Sequence, residues 1–301
     1  MENRRTFIKK GALAAGMLTL PKAAYLQHLL GIMPGNMQAL RHHVGIYTES
    51  GGTIGWYIGK NGIAVVDTQF PAQAAHLMEE IRKQSGQPID ILFNTHHHAD
   101  HTGGNIAFKG LVNKVVAHVH SKTNQEAVAI ARKTEAQQLY PDTTFEKTWT
   151  TRLDEETITT HYFGPAHTNG DSVVHFEHAN VAHIGDLVFN RRFPYIDKTA
   201  GASISHWIEV LAKIEKTFDK DTLFVFGHAG DTYPVQGSHK ELAAMQNYLD
   251  KLLLYVRKAI KNGVEEKALI ESTKIIPGAE EWTGAGVERS ITAAYLELKK
   301  P

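Results

Sequence analysis

The sequence predicts a mixed α/β fold in which sheets are covered by helices on their outer faces. Short apolar runs typical of buried strands alternate along the chain with longer segments whose apolar residues recur at helical spacing. Hydrophobic residues make up 42% of the 301 positions and charged residues 21%, a balance that excludes a disordered chain or a collagen-like repeat. No repeat, linker or charge block interrupts the chain after residue 24. We therefore expect residues 25–301 to form a single domain.

The first half of the chain begins with a predicted hairpin and a helix. An Asn-Gly pair separates the apolar runs 56–58 and 63–66, which is a strong signal for a β-hairpin. Pro71 opens a helix that we expect to reach about residue 84. The other elements expected here are strands at 89–93 and 115–117 and a helix at 121–139.

The second half alternates strands and helices in the same way. Its predicted strands cover residues 157–163, 172–176, 181–184 and 223–226. Its predicted helices cover residues 203–217, 236–261 and 287–299. Strand groups mixed with helices on this scale indicate sheets with helices packed on their outer faces.

Cysteine is absent, whereas histidine occurs 18 times. The lack of cysteine excludes a thiolate nucleophile, a Cys-ligated zinc ion, an iron–sulfur cluster and a lipidated anchor. Any bound metal would therefore be held by histidines and carboxylates. The 32 basic and 32 acidic residues cancel, which gives no indication of a nucleic acid or an acidic membrane surface as partner.

The first 24 residues have the pattern of a bacterial export signal, with a basic start, an apolar run at 11–20 and small residues near position 24. Arg4 and Arg5 resemble the signal that directs folded proteins to the twin-arginine export machinery. The apolar run is too short to span a bilayer, for which about 20 residues are needed, so no stable membrane anchor is expected. We therefore expect a periplasmic protein. The alternative is that residues 1–24 form a flexible basic arm and not an export signal.

A histidine-rich segment, His96-His97-His98-Ala99-Asp100-His101, directly follows the strand at 89–93. In an extended segment His96, His98 and Asp100 project to one side, and His97 points away. The two imidazoles can reach one metal ion, while Asp100 and His101 can reach a second as the chain turns toward two glycines. The alternative is a solvated loop without a ligand.

Three further candidates occupy equivalent places later in the chain. His167, Asp186 and His228 each follow an apolar, strand-like run and lie beside glycine or proline. Functional loops of an open α/β or mixed sheet lie at such strand ends, on one rim. The recurrence at strand ends predicts a metal site rather than scattered surface residues.

This set of motifs, in this order, resembles the metallo-β-lactamase superfamily over most of residues 40–232. The resemblance implies an αββα four-layer sandwich with a dinuclear metal site at the edge of the two sheets. It assigns the first metal to His96, His98 and His167, the second to Asp100, His101 and His228, and a bridging position to Asp186. A ligand set of nitrogen and oxygen suits two zinc ions, with iron or manganese as alternatives.

Three features inform the place of the chain within that family. The missing cysteine excludes the β-lactamases that use a Cys on the second metal. An aspartate at the bridging position, here Asp186, resembles the pattern of the thioesterase, lactonase and phosphodiesterase-like members. A histidine at position 98 argues against the diiron electron-transfer branch, which typically has glutamate there.

The resemblance implies a zinc-dependent hydrolase in which a metal-bridging hydroxide attacks the carbonyl of a small-molecule substrate. Asp100, besides its role as a ligand, would orient this nucleophile and accept its proton. A periplasmic address favours a β-lactam or a similar cyclic amide or lactone. The alternatives are a thioester or phosphodiester hydrolase, an iron-dependent sulfur or oxygen enzyme, and a non-catalytic metal-binding protein.

Five further residues are candidates for supporting roles. Asp67 and Asp171 could hold ligand imidazoles in one tautomer, or could serve only in a turn or a cap. Arg191 or Arg192 could bind a substrate carboxylate, although a surface charge pair is an equal alternative. Tyr195 could donate a hydrogen bond to a developing oxyanion.

Overall fold

A computed structural model describes residues 35–299 of the chain. The predicted export signal at 1–24 lies outside these residues, and its boundary with the following domain stays a prediction. Within the described part, none of the helices is both long enough and apolar enough to cross a membrane.

The first sheet contains seven strands in chain order. These are β1 (Asn36–Arg41), β2 (Val44–Thr48), β3 (Ile54–Ile58), β4 (Ile63–Val66), β5 (Ile89–Asn94), β6 (Val112–His118) and β7 (Thr143–Phe145). The strands β1 to β4 pair antiparallel, whereas β4 to β7 pair parallel.

The second sheet has the strand order β15-β13-β11-β10-β9-β8. Its strands are β8 (Thr148–Leu153), β9 (Glu156–His161), β10 (Val173–Phe176), β11 (Val181–His183), β13 (Leu223–Val225) and β15 (Gln236–Gly237). In this sheet β11 and β13 are parallel neighbours. A short separate pair joins β12 (Phe189–Asn190) to β14 (His228–Ala229).

The helices lie between and after these strands. They are α1 (Pro71–Gln84), α2 (Ala99–Thr102), α3 (Val119–Arg132), α4 (Ile204–Thr217), α5 (His239–Lys261), α6 (Glu266–Ser272) and α7 (Val287–Leu298). Short 3₁₀ helices occur at Gly103–Phe108, Glu135–Gln137, Gly185–Leu187 and Lys198–Ala200.

Three apolar cores separate four layers. Because neighbouring side chains of a strand point to opposite faces, Val66 packs in the core between the two sheets while Val65 packs against α1. A third core joins the outer face of the second sheet to α4, α5 and α7, with Trp207 and Leu249 fully buried in it. The predicted mixed α/β class is therefore confirmed, and the layers follow the αββα order that the resemblance implies.

Several elements differ from the sequence-based expectation. The strands β1, β2, β7 and β8 were not predicted; side chains of β1 are largely exposed, and those of β8 alternate only between exposed and half-buried, which weakens their apolar pattern. The predicted helix 121–139 ends early because Lys133 adopts a left-handed conformation with φ of 56°. The helix predicted from residue 236 starts at His239, since Ser238 and Glu241 form a capping box.

Candidate metal centre

The predicted ligands lie where strands of both sheets end. In the first sheet the histidine-rich segment follows β5. In the second sheet Asp186 follows β11, and His228 follows β13, at the start of the separate short strand β14. His167 lies in the loop that joins β9 to β10. Because β11 and β13 run parallel, their carboxyl ends meet at one edge, which brings Asp186 and His228 together.

The histidine-rich segment is not extended throughout, contrary to the expectation. The chain enters the short helix α2 directly after His98, which has the extended dihedral angles of an N-cap residue. This turn separates Asp100 from the side shared by His96 and His98. The rings of those two histidines lie edge to face with centroids 4.8 Å apart, whereas Oδ2 of Asp100 lies 3.0 Å from Nε2 of His228.

Among residues 35–299, three groups of potential ligand atoms result, and within each group the atoms lie within 4.8 Å of one another. One of them, His97 with His98 and Asp197, adds no predicted ligand beyond His98, and the other two contain the predicted ligands. The first group contains His96, His98, His167 and Asp186, and the second contains Asp100, His101 and His228. The structure thus brings together all seven residues that the sequence suggested. As the resemblance implies, His96, His98 and His167 lie in one group, and Asp100, His101 and His228 lie in the other.

Asp186 lies between the two groups. Its Oδ2 is 3.9 Å from Nε2 of His96 and 3.6 Å from Nε2 of His167. Its Oδ1 is 3.1 Å from Nε2 of His101 and 3.5 Å from Nε2 of His228. Each carboxylate oxygen therefore faces one group, which is the arrangement that a bridging ligand requires.

A glycine next to His228 permits this position of Asp186. A Cβ atom at Gly227 would lie 1.9 Å from Oδ1 of Asp186, far closer than any side chain could tolerate. The backbone of Gly227 also donates a hydrogen bond to the carbonyl of Gly185, which fixes the two loops together. Only glycine allows the backbone to approach the carboxylate this closely.

An outer layer of acceptors holds three of the imidazoles. Oδ2 of Asp67 accepts from Nδ1 of His101 at 2.7 Å, and Oδ1 of Asp171 lies 3.2 Å from Nδ1 of His167. Nε2 of His98 bonds to Oδ2 of Asp197 at 3.0 Å. Each contact leaves the other ring nitrogen free to face the centre, which is how ligand imidazoles are held in one tautomer.

Sequence reasoning named Asp67 and Asp171 but missed Asp197. Asp197 lies 99 positions from His98 in a loop, and no periodicity or motif marks it. The same carboxylate corrects the expectation for His97, whose ring does not point away from the site. His97 is buried beside His98, and its Nε2 lies 3.7 Å from Oδ2 of Asp197.

The residues present fit a metal ion. Nε2 of His167 is buried and has no hydrogen-bond partner among the described residues. A buried polar atom without a partner is costly, and a bound cation would satisfy it. The two groups offer only nitrogen and oxygen atoms, which suit zinc and also iron or manganese.

Comparison with known proteins decides the family. Residues 47–228 match the family model described as the metallo-beta-lactamase superfamily. The chain belongs to the metallo-beta-lactamase superfamily. It is 24% identical over 204 residues to the "Metallo-beta-lactamase type 2" of Elizabethkingia meningoseptica, a match that covers 67% of this chain and 76% of that protein. Membership of the superfamily supports metal-dependent hydrolysis as the general activity.

Burial and neighbouring charges shift the pKa values of the candidate ligands, downward for His96 and Asp100 and upward for His101. Burial, together with the neighbouring His101, holds the pKa of His96 well below its usual value. Burial also lowers the tendency of His101 to take a proton, but Asp186 and Asp67 outweigh it and raise the pKa of His101. Burial acts to raise the pKa of Asp100, yet the hydrogen bond from His228 and the charge of His101 bring it down to about 2.

A cavity of about 530 Å³ opens beside the motif residues. Arg192 and Tyr195 line it, as the sequence suggested for substrate contacts. Arg191 does not line it: its guanidinium packs over the rings of Tyr233 and Trp282 and pairs with Glu281. Arg191 is therefore not a candidate for contact with a ligand in this cavity. Sequence reasoning missed two further arginines of the cavity wall, Arg132 and Arg289.

Proposed function

We propose that the protein is an exported dinuclear zinc hydrolase that cleaves a small cyclic amide or lactone, with a β-lactam as the first candidate. The observation that carries this proposal is the position of Asp186, whose two carboxylate oxygens each face one group of imidazoles. A single metal ion would use the ligand atoms of only one of these groups.

In this proposal each metal ion has its own ligands. His96, His98 and His167 would hold the first ion, Asp100, His101 and His228 would hold the second, and Asp186 would serve both groups. When bound, the two ions supply a water-derived nucleophile at neutral pH and polarise the substrate carbonyl. Iron or manganese would satisfy the same nitrogen and oxygen atoms.

The residues of the chain have separate tasks in the reaction. Asp100 lines the cavity and keeps about a third of its side chain exposed (32%). Its carboxylate, which stays ionised at neutral pH, can therefore accept a hydrogen bond from the attacking water and orient it. Asp67, Asp171 and Asp197 hold the imidazoles in place. Tyr195, which lines the same cavity, is the candidate donor to the substrate oxyanion.

The substrate class rests on two supports. The Elizabethkingia meningoseptica relative is described as a metallo-beta-lactamase. The chain also carries an export pattern at residues 1–24, and cyclic amides and lactones reach the periplasm. At 24% identity the relative does not fix the substrate, so both ring types stay in the test.

The test combines metal analysis with turnover. The mature protein, reconstituted with zinc, should hold about two metal ions per chain and should hydrolyse members of a β-lactam or lactone panel. Asp186→Asn should lose metal and turnover together. His43→Asn, at an exposed histidine of the turn between β1 and β2, is the matched control and should behave as the wild type, since asparagine tolerates the left-handed φ of 68° at this position. Fewer than about one metal per chain, or full turnover by Asp186→Asn, would overturn the proposal, as would activity confined to thioesters or phosphodiesters.

The proposed periplasmic location has its own experiment. Cells expressing the full chain are fractionated, and the protein is followed with an antibody. The wild type should appear in the periplasm, while replacement of Arg4 and Arg5 by lysine should retain it in the cytoplasm. Export of both forms in equal amount would contradict the use of twin-arginine machinery.

A further inference from the structure

We propose that Glu297 of α7 is a positioning residue for the first metal ion, because it fixes the chain segment that holds His98 and His167. This segment, residues 197–205, is called the supporting segment below. The inference rests on the proposed dinuclear centre and extends it to a helix beyond residues 47–228, the part of the chain that matches the superfamily. A measurement on metal-free protein keeps its failure distinct from failure of the proposed function.

The supporting segment contacts two of the three imidazole ligands of the first group. Oδ2 of Asp197 lies 3.0 Å from Nε2 of His98. Because an ionised carboxylate can only accept, the proton of this bond belongs to the imidazole. The backbone N–H of Asp197 donates to the carbonyl of His167 at 3.1 Å. One residue therefore holds the ring of one ligand and the backbone of another.

Further backbone hydrogen bonds join the supporting segment to the loop that carries His167. The N–H of Ser203 donates to the carbonyl of Ala166 at 3.0 Å. The N–H of Asn169 donates to the carbonyl of Ala200 at 2.8 Å. Because Ala166 and Asn169 lie on either side of His167 in the chain, a shift of the supporting segment would move this ligand as well.

Glu297 binds the supporting segment at both of its ends. Its Oε2 accepts hydrogen bonds from Nζ of Lys198 and from the backbone N–H of Ile204, each at 2.8 Å. Its Oε1 accepts from the backbone N–H of Ser205 at 2.9 Å. Lys198 directly follows Asp197, whereas Ile204 begins α4. One carboxylate of α7 thus ties the residue next to Asp197 to the helix that follows.

Burial strengthens the contact between Glu297 and Lys198. The two side chains are only 14% and 17% exposed, so salt screens their interaction less than it screens a surface pair. Hydrogen bonds between charged groups are also stronger than neutral ones. Removal of Glu297 would take this acceptor away from the ammonium group and from two backbone N–H groups of α4. The supporting segment would then lose the contact that fixes its two ends.

The second group of ligands has a different support. Its His101 is held at 2.7 Å by Asp67, which lies at the end of β4 in the first sheet. The supporting segment, by contrast, runs from the loop after β12 into the first turn of α4. We therefore expect Glu297 to affect the first ion selectively. A general loss of folded protein would instead weaken the binding of both ions together.

Zinc titrations test this selectivity. The two stepwise zinc dissociation constants are measured by competition with a chromogenic chelator, under conditions where circular dichroism shows folded protein. In Glu297→Ala one constant should rise by about 10-fold, the lower end of the usual effect of losing an outer support. Excess zinc should then restore turnover. Asp67→Asn should weaken the other ion, and the combination of both changes should weaken both ions.

Ser238→Ala is the matched control, because it removes the N-cap of α5 just as Glu297→Ala removes an acceptor at the start of α4. It should lower the melting temperature and leave both zinc constants unchanged. Lys198→Met breaks the same contact from the other side and serves if Glu297→Ala does not fold. Since both changes act through one contact, the double variant should bind zinc no more weakly than Glu297→Ala alone.

Nuclear magnetic resonance on metal-free protein gives a readout that needs no metal. The imidazole N–H proton of His98 that is bonded to Asp197 is identified by its loss in His98→Gln. This signal should be present in the wild type and in Ser238→Ala, and it should be lost or broadened in Glu297→Ala. A wild type that binds no zinc but shows this difference would sink the hydrolase and keep the positioning role. An unchanged His98 signal in Glu297→Ala, or zinc constants that stay the same or weaken equally, would overturn that role.

Discussion

Oδ2 of Asp67 accepts a hydrogen bond from Nδ1 of His101 at 2.7 Å, and both side chains are fully buried. Asp67 lies at the end of β4 with a left-handed φ of 63°, and it also accepts hydrogen bonds from the backbone and hydroxyl of Thr95. One carboxylate thus fixes the imidazole of one candidate ligand and the start of the segment that carries three others. Unusual backbone conformations of this kind persist where the surrounding structure holds them.

The first prediction concerns this contact. Asp67→Asn keeps the side-chain shape and tolerates the left-handed backbone, but it removes the charge that orients His101. We expect metal affinity to fall by about 10- to 100-fold, the usual effect of removing such a partner. Competition with a chromogenic chelator measures it. Asp90→Asn, a carboxylate of β5 that bonds to the backbone of Ile63, serves as control. Unchanged affinity in Asp67→Asn would refute the role of the contact.

The second prediction concerns metal removal. A chelator should lower the melting temperature, because a ligand that binds only the folded state stabilises it by about 2.7 kcal/mol at 100 times its Kd. Readdition of zinc should restore both the melting temperature and turnover. Thermal unfolding at several zinc concentrations measures the effect. A melting temperature that is independent of zinc would mean that the imidazole groups do not bind it.

The third prediction uses the close approach at Gly227. Gly227→Ala should displace Asp186, because the added Cβ would lie 1.9 Å from its Oδ1. We expect loss of bound metal and of turnover in protein that still folds. Gly86→Ala is the matched control, since its added Cβ would meet nothing within 4 Å. Metal content and circular dichroism measure the two effects, and a fully metallated Gly227→Ala would disprove the steric account.

The fourth prediction concerns Glu297 of α7, which caps the start of α4. Its oxygens accept hydrogen bonds from the backbone of Ile204 and Ser205 and from Nζ of Lys198. Burial acts to raise the pKa of Glu297, but Lys198 and the backbone donors outweigh it, so the pKa is lowered. The stabilisation is therefore present above the pKa of the unfolded chain, about 4.3, and is lost as the pH falls through the lower folded value.

Glu297→Gln should accordingly unfold at lower urea concentration at pH 7, with a loss of about 1–3 kcal/mol. The difference from the wild type should shrink as the pH is lowered below about 4. Urea titrations of metal-free protein at both pH values measure it. Glu215→Gln, at an exposed position on α4, is the control. A difference that stays constant with pH would show that the charge of Glu297 contributes nothing.

The sequence predicted the elements whose signal is local. The hairpin around the Asn-Gly pair, helix α1 after Pro71 and helix α4 follow from short-range periodicity and turn chemistry. Strands β1 and β8 were not predicted, because their exposed or half-buried side chains show no apolar alternation. The early end of α3 was not predicted either, since a lysine at position 133 does not by itself indicate the left-handed conformation that ends the helix.

By itself the sequence named the candidate ligands, because His96, His98, Asp100 and His101 follow one another at close spacing directly after a predicted strand. Only the tertiary structure decided their supports and their surroundings. Asp197 reaches His98 from 99 positions away, and Arg132 and Arg289 meet in one cavity although they belong to different helices. Such contacts depend on how layers pack and strands end, which is a property of the folded chain and leaves no periodic trace in the sequence.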